Sequence, residues 1–208
     1  MKDIFFGPDH EKLHGVIIHA ERDGAPAVVL CHPHPQFGGS MNNNVILGME
    51  AALADADFTT LRFDFRGVGR SRGVYGDGIG EVEDVNRAIA FLAADASIGG
   101  IYIAGYSFGA AVGLKAGAAA DRVAALVGVA PPTMMYSFDF LCEYKKPLLL
   151  AAGSLDEFCD TDSLRPFAEQ QGARIEIIPG ADHFFIGNEV KTGGIVRDFL
   201  SEIETGKE

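Results

Sequence analysis

Residues 100–117 read GIYIAGYSFGAAVGLKAG. The apolar run from Ile101 to Ala104 has the length of a buried strand, and the alanine-rich stretch after Gly109 favours helix. Between them, Gly105-Tyr106-Ser107-Phe108-Gly109 leaves room only for a tight turn. In a Gly-x-Ser-x-Gly turn the glycines let backbone pass close on either side, so the serine hydroxyl stands clear at the head of the helix. The helix start also offers free N–H groups and a positive dipole end to a developing negative charge. The pattern carries weight only in a strand-to-helix context, which is present here. It predicts Ser107 as a nucleophile.

The rest of the composition narrows the class. A chain of 208 residues, 48% of them hydrophobic, can bury a substantial core and reads as a single domain over residues 1–208. Its formal net charge of −12, with no Lys/Arg cluster to offset it, excludes phosphate-backbone binding as a role. No apolar run approaches the length of a membrane span, so a cytoplasmic protein without a membrane partner is expected. Cys31, Cys142 and Cys159 form no CxxC pair, which argues against a disulfide framework or a zinc site.

Working back from the serine turn, Ile4–Phe6 and Leu13–Ala20 read as two strands joined at Gly7-Pro8-Asp9, an antiparallel edge to a sheet. His10, His14 and His19 lie in or beside them and are expected at the surface or edge, since no further ligand is spaced to complete a metal site. Ala27–Cys31, AVVLC, has the continuous apolar character of a parallel strand covered on both faces. The Pro- and Gly-rich stretch His32–Met41 is then a loop, in which His32 and His34 are expected to pack or hydrogen-bond rather than hold metal. A helix over Val45–Asp55, capped from Asn42–Asn44, leads to a strand over Phe58–Phe63. The glycines of Asp64–Gly73 have G-x-G-x-x-x-G spacing with no following helix, so they read as a tight loop and not a dinucleotide cradle; Asp64 and Arg66 are expected to pair there. Gly80–Ala94 is an amphipathic helix with Val82, Val85, Ile89 and Leu92 inward and Glu81, Glu83 and Asp84 complementing its dipole.

Beyond the serine turn come a strand over Val123–Ala130, an irregular apolar segment Pro131–Tyr144, and a strand over Leu148–Ala152. A helix from Thr161 or Asp162 to about Gln171, a last strand Arg174–Ile178 and a helix Val190–Ile203 follow. The irregular segment is too short for a large lid. Its Met134, Met135, Tyr136 and Phe138 are candidates for a substrate-pocket wall, or equally for a core-packing connector.

Alternating strands and helices predict an α/β fold: a doubly wound, mostly parallel sheet with helices on both faces, whose sites lie at the carboxyl ends of the strands. Ser107, Asp156 and His183 each follow a strand at that edge, in the order nucleophile, acid, histidine. Asp160 and Asp162 sit where they would cap the next helix, and Asp182, adjacent to His183, would point away from it on extended backbone. Asp156 is therefore preferred as the acid.

From about Leu13 to Leu200 the chain resembles the α/β-hydrolase superfamily. The segments HPHPQFGGSMNNNV, LRFDFRGVGRSRG, GYSFG, AGSLDEF and ADHFF resemble in particular a compact bacterial group of serine hydrolases without a cap domain, close to dienelactone-hydrolase-like esterases. Dienelactone hydrolases proper carry a cysteine nucleophile where this chain has Ser107. The resemblance implies a cofactor-free, metal-free hydrolase of carboxylic esters with small or medium acyl chains, working through an acyl-enzyme on Ser107, Asp156 and His183. It further implies an oxyanion hole from the Phe108 N–H and an amide of the loop after the AVVLC strand, Gln36 or Phe37. Peptidase, thioesterase or acyltransferase chemistry would use the same residues, and a binding protein that keeps the fold without turnover is the other class.

Overall fold

The computed structural model describes residues 1–165 and 173–206. Its frame is one eight-stranded sheet: β1 (Lys2–Phe6), β2 (Leu13–Ile18), β3 (Ala27–Cys31), β4 (Thr59–Phe63), β5 (Ile101–Tyr106), β6 (Val123–Val129), β7 (Leu148–Gly153) and β8 (Arg174–Ile178). The spatial order is β1-β2-β4-β3-β5-β6-β7-β8. β2 pairs antiparallel with both β1 and β4, and every other pairing is parallel. The hairpin of β1 and β2 is thus the antiparallel margin that the turn residues at Gly7-Pro8-Asp9 predict.

The unbroken apolar runs have a direct cause. Along β3, Ala27, Val29 and Cys31 face one core while Val28 and Leu30 face a second on the opposite side. β7 divides in the same way, Leu148, Leu150 and Ala152 against Leu149 and Ala151. A parallel strand sandwiched between helices has no solvent face on which polar residues could alternate. The first core is closed by α2 (Ile79–Ala93) and α3 (Phe108–Ala118), the second by α1 (Asn44–Asp55) and α4 (Glu189–Thr205). Asn43 caps α1, its side chain accepting from the Val45 amide at 3.0 Å. Residues 161–165 are helical as expected; the remainder of the helix predicted to Gln171 lies outside the described residues. The two outermost strands carry charge, Lys2 and Asp3 on β1 and Arg174 and Glu176 on β8.

Three polar readings of the sequence are corrected. Arg66 does not pair with Asp64: its guanidinium bonds the Asp84 carboxylate, with its closest contact at 2.8 Å, and reaches Glu83 at 3.2 Å. Of the acids expected in the first turn of α2, Glu81 is there, fully buried and accepting the Gly76 and Gly78 amides at 2.9 and 2.8 Å, whereas Asp84 lies beyond the first turn and is fully buried under Arg66. His14 is buried rather than exposed, because β1 and β4 flank its strand on both sides and Phe5 packs over its ring at 5.0 Å. His10 and His19 are exposed.

The topology fixes where a cleft can form. From β3 the chain moves outward to β4, then crosses back over β3 to β5, so the loops after β3 and β5 leave neighbouring strands in opposite directions. That divergence opens a crevice at the carboxyl edge of the sheet.

Candidate active site

Ser107 joins β5 to α3 with φ 55° and ψ −121°, a region a non-glycine residue enters only when its surroundings enforce it. The enforcement is steric. A Cβ on Gly105 would fall 2.2 Å from the Gly109 carbonyl oxygen, and one on Gly109 would fall 2.1 Å from that of Cys31. Both glycines of the motif are therefore required for α3 to start hard against β3 and β5. The Ser107 amide donates to the Val129 carbonyl at 2.9 Å, locking the turn to β6.

The loops after β7 and β8 interlock. The Ser154 amide donates to the Ile178 carbonyl, the Leu155 amide to the Ala181 carbonyl, and the Gly180 amide to Ser154 Oγ, all within 3.0 Å. This brings Asp156 and His183 together although 27 residues separate them. His183 Nδ1 donates to the Asp156 carboxylate at 2.8 and 2.9 Å. Its Nε2 lies 2.9 Å from Ser107 Oγ. With the ring proton held on Nδ1 by the carboxylate, Nε2 is left to accept from the serine hydroxyl. The Asp156 side chain has no exposed surface, and the Phe158 and Cys159 amides also donate to it, at 2.9 and 3.1 Å. Tyr106 holds the histidine from behind, its hydroxyl donating to the His183 carbonyl at 2.7 Å. Asp160 and Asp182 are spent on their own turns, accepting from the Asp162 and Phe184 amides.

The loop after β3 forms the facing wall. His32 is fully buried; Nδ1 donates to the Pro33 carbonyl at 2.6 Å and Nε2 accepts from the Phe65 amide at 3.0 Å. Burial drives its pKa down to about 4, against a partial upward pull from the Pro33 carbonyl. The far end of the loop is tied by the Met41 amide donating to Asp64 at 2.8 Å and by Asn42 Oδ1 accepting from Arg62, which also pairs with buried Glu50. Within the loop, the Gln36 amide donates to His34 Nδ1 at 3.2 Å and the Phe37 amide to the His34 carbonyl at 3.1 Å. The Gly38 and Gly39 amides are likewise engaged, by the Pro35 and His34 carbonyls. Both amides singled out from the sequence are thus already occupied, because Pro35-Gln36-Phe37 closes into a 3-10 turn. Pro35 has no N–H, so His34 holds the one loop amide from 34 to 39 without an acceptor among the described residues. The Phe108 amide, at the first turn of α3, is in the same condition.

Ser107 and His183, each 9% exposed, open onto a cleft of about 500 Å³. Its walls include His34, Phe37, Phe108, Met135, Tyr136, Phe158 and Phe184. Of the pocket residues expected from the sequence, Met135 and Tyr136 line it. Phe138 faces an adjoining cavity of about 220 Å³ and packs on Phe140, while Met134 is exposed outside the lining. The connection from β6 to β7, residues 130–147, contains only a 3-10 turn at Asp139–Glu143, so nothing caps the cleft from there. Tyr106 and Tyr75, neither singled out in the sequence as a site residue, carry two of the polar contacts around it. A tyrosine immediately before Ser107 gives no signal beyond an apolar strand, and Tyr75 sits in a stretch without periodicity. Among the described residues no cluster of three or more His, Cys, Asp or Glu side chains is arranged to hold a metal, and no helix is long and apolar enough to cross a membrane.

A hydroxyl, an imidazole and a buried carboxylate in one hydrogen-bonded row, at the carboxyl edge of a doubly wound sheet, define a class. The chain belongs to the alpha/beta hydrolase fold family, whose model matches residues 26–141. Among individual proteins it is similar to the uncharacterized protein RP471 of Rickettsia prowazekii, 30% identical over 99% of this chain and 91% of that one. It also resembles the solved structure of an alpha-beta serine hydrolase homologue from Coxiella burnetii, at 32% identity and TM-score 0.87, covering 96% of this chain and 97% of that one. A third likeness is to XC6422 from Xanthomonas campestris, a serine hydrolase without a lid, at 28% identity and TM-score 0.85, covering 97% and 94% of the two chains.

Proposed function

We propose that the protein hydrolyses carboxylic esters of small or medium acyl groups through an acyl-enzyme on Ser107. The observation that carries this reading is the row Asp156–His183–Ser107 at 2.8 and 2.9 Å. In the first half-reaction, His183 Nε2 takes the Ser107 proton as Oγ bonds to the ester carbonyl carbon, and returns it to the departing alcohol. In the second, His183 takes a proton from water, whose oxygen attacks the acyl carbon and releases the acid and free Ser107. Asp156 keeps the imidazole oriented and balances its transient charge.

The Phe108 and His34 amides are assigned to the oxyanion in place of Gln36 and Phe37, since each has an N–H without an acceptor among the described residues while those of Gln36 and Phe37 are engaged; each such donor is worth about 3 to 4 kcal/mol in the transition state. A cleft of about 500 Å³ with mostly aromatic walls suits an acyl chain or aryl group of moderate size. Wild-type protein is expected to be labelled on Ser107 by a fluorophosphonate and to hydrolyse short-chain aryl esters. Ser107→Ala should abolish labelling and lower kcat by about 10⁴-fold or more. Absence of labelling in the wild-type protein would overturn the proposal.

A further inference from the structure

Apart from Ser107, His183 and Asn43, the side chains lining the cleft are apolar or aromatic except for His34 and the hydroxyl of Tyr136 on one side, and Tyr75, outside the lining, bonds to His34. The Gln36 amide donates to His34 Nδ1, so that nitrogen carries no proton. A neutral imidazole has only one, which therefore sits on Nε2. Burial pushes the His34 pKa down, favouring this neutral form. Nε2 lies 3.1 Å from the Tyr75 hydroxyl, and as the protonated nitrogen it must donate there.

The oxygen of Tyr75 is thereby used as an acceptor, and its own proton must go elsewhere. The neighbouring hydroxyl is that of Tyr136, close enough that each affects the other's ionisation. The Tyr136 oxygen can accept that proton, and the Tyr136 O–H is then left without a protein acceptor among the described residues. Burial is the main cause holding both phenols above the ordinary tyrosine range, Tyr75 at about 12, so they stay protonated donors at neutral pH.

The surplus donor lies on the substrate side. Tyr136 lines the cleft together with His34, and its ring stands edge-on to Phe108, the residue after Ser107, at 6.0 Å. The buried carboxylate of Glu81 acts on His34, Tyr75 and Tyr136 alike, which disfavours an anionic group at this place. We infer that the Tyr136 hydroxyl is a specificity determinant: the substrate carries a neutral oxygen acceptor, an ether, hydroxyl or carbonyl remote from the scissile ester, and is not a plain hydrocarbon ester. This rests on the hydrolase reading above.

The test compares straight-chain esters with oxa-analogues in which one methylene of the acyl or alcohol chain is replaced by an ether oxygen at successive positions. Released acid is titrated, and rates are corrected for each ester's hydroxide-catalysed reactivity. At the best position the wild-type kcat/KM should favour the oxa-analogue by about 5- to 10-fold, the scale of one neutral hydrogen bond, and the gain should appear in KM. Tyr136→Phe should lower that ratio at least about fivefold, and the Tyr75→Phe/Tyr136→Phe double variant should bring it to one. If wild-type protein is labelled on Ser107 and hydrolyses alkyl esters but prefers no oxa-analogue, or if both variants keep the wild-type ratio, the inference is overturned while the hydrolase reading stands. If Ser107 is not labelled, the hydrolase reading falls and takes the inference with it.

Discussion

Acidification should weaken the fold through one imidazole. His32 uses both ring nitrogens with a single proton, donating to Pro33 and accepting from the Phe65 amide, and it has no exposed surface. A second proton would face the Phe65 N–H and place a charge in the core, which is why its pKa lies near 4 instead of the ordinary 6.5. Between these two values the unfolded chain binds a proton that the native state refuses, so stability is full above about pH 6.5 and falls as the pH drops towards 4. At about 1.4 kcal/mol per pH unit of separation the whole effect is about 3 kcal/mol, of which about 2 is lost by pH 5. Glu50, Asp64 and Asp84, whose pKa values burial raises, act in the opposite direction, gaining stability as the pH falls. Their contribution cancels when wild-type protein is compared with His32→Gln, which keeps a polar side chain but cannot ionise. Urea unfolding of both proteins from pH 7.5 to 4.5 should show the variant less stable by about 1 to 2 kcal/mol at the upper end, for the disturbed bond to Phe65. That deficit should close or invert at the lower end. Parallel curves would refute the assignment of a neutral, doubly bonded His32.

Two further outcomes follow from the geometry around Ser107. Gly109→Ala would place a methyl carbon 2.1 Å from the Cys31 carbonyl oxygen, forcing α3 away from β3; a fall of about 3 kcal/mol in unfolding free energy and at least about 100-fold in kcat/KM is expected, read by denaturant melts and ester hydrolysis. Tyr106→Phe removes the 2.7 Å bond to the His183 carbonyl and should lower kcat about tenfold with KM within about twofold, since it loosens the base without touching substrate; an unchanged kcat would show that this anchor is dispensable.

The fold and the hydrogen-bonded row of Ser107, His183 and Asp156 were legible because each rests on local pattern. AVVLC and LLLAA announce strands buried on both faces, and a serine between two glycines, after one such run and before an alanine-rich one, has few other readings. Asp156 and His183 were reachable because each lies just past a strand, where the sheet delivers residues to one edge. The polar interior was not legible. Arg66 finds its carboxylate on α2, 18 residues further on, and Glu81 turns its charge inward to the loop amides preceding its own helix. Helical periodicity alone assigns such acids to solvent. Which amide of residues 34–39 is spare was not legible for a similar reason: it depends on a 3-10 turn that closes on itself, and Pro-Gln-Phe-Gly does not reveal that closure.

The charged outer strands have a consequence for the protein at high concentration. An open β margin offers unpaired backbone to any extended segment that drifts against it. Here a newcomer at β1 would meet Lys2 and Asp3, and at β8 it would meet Arg174, already engaged with Glu176 and Glu202. Stripping water from those groups offsets the backbone bonds to be gained. The sheet, for all its long apolar interior, is thereby guarded at both ends against growing into an aggregate.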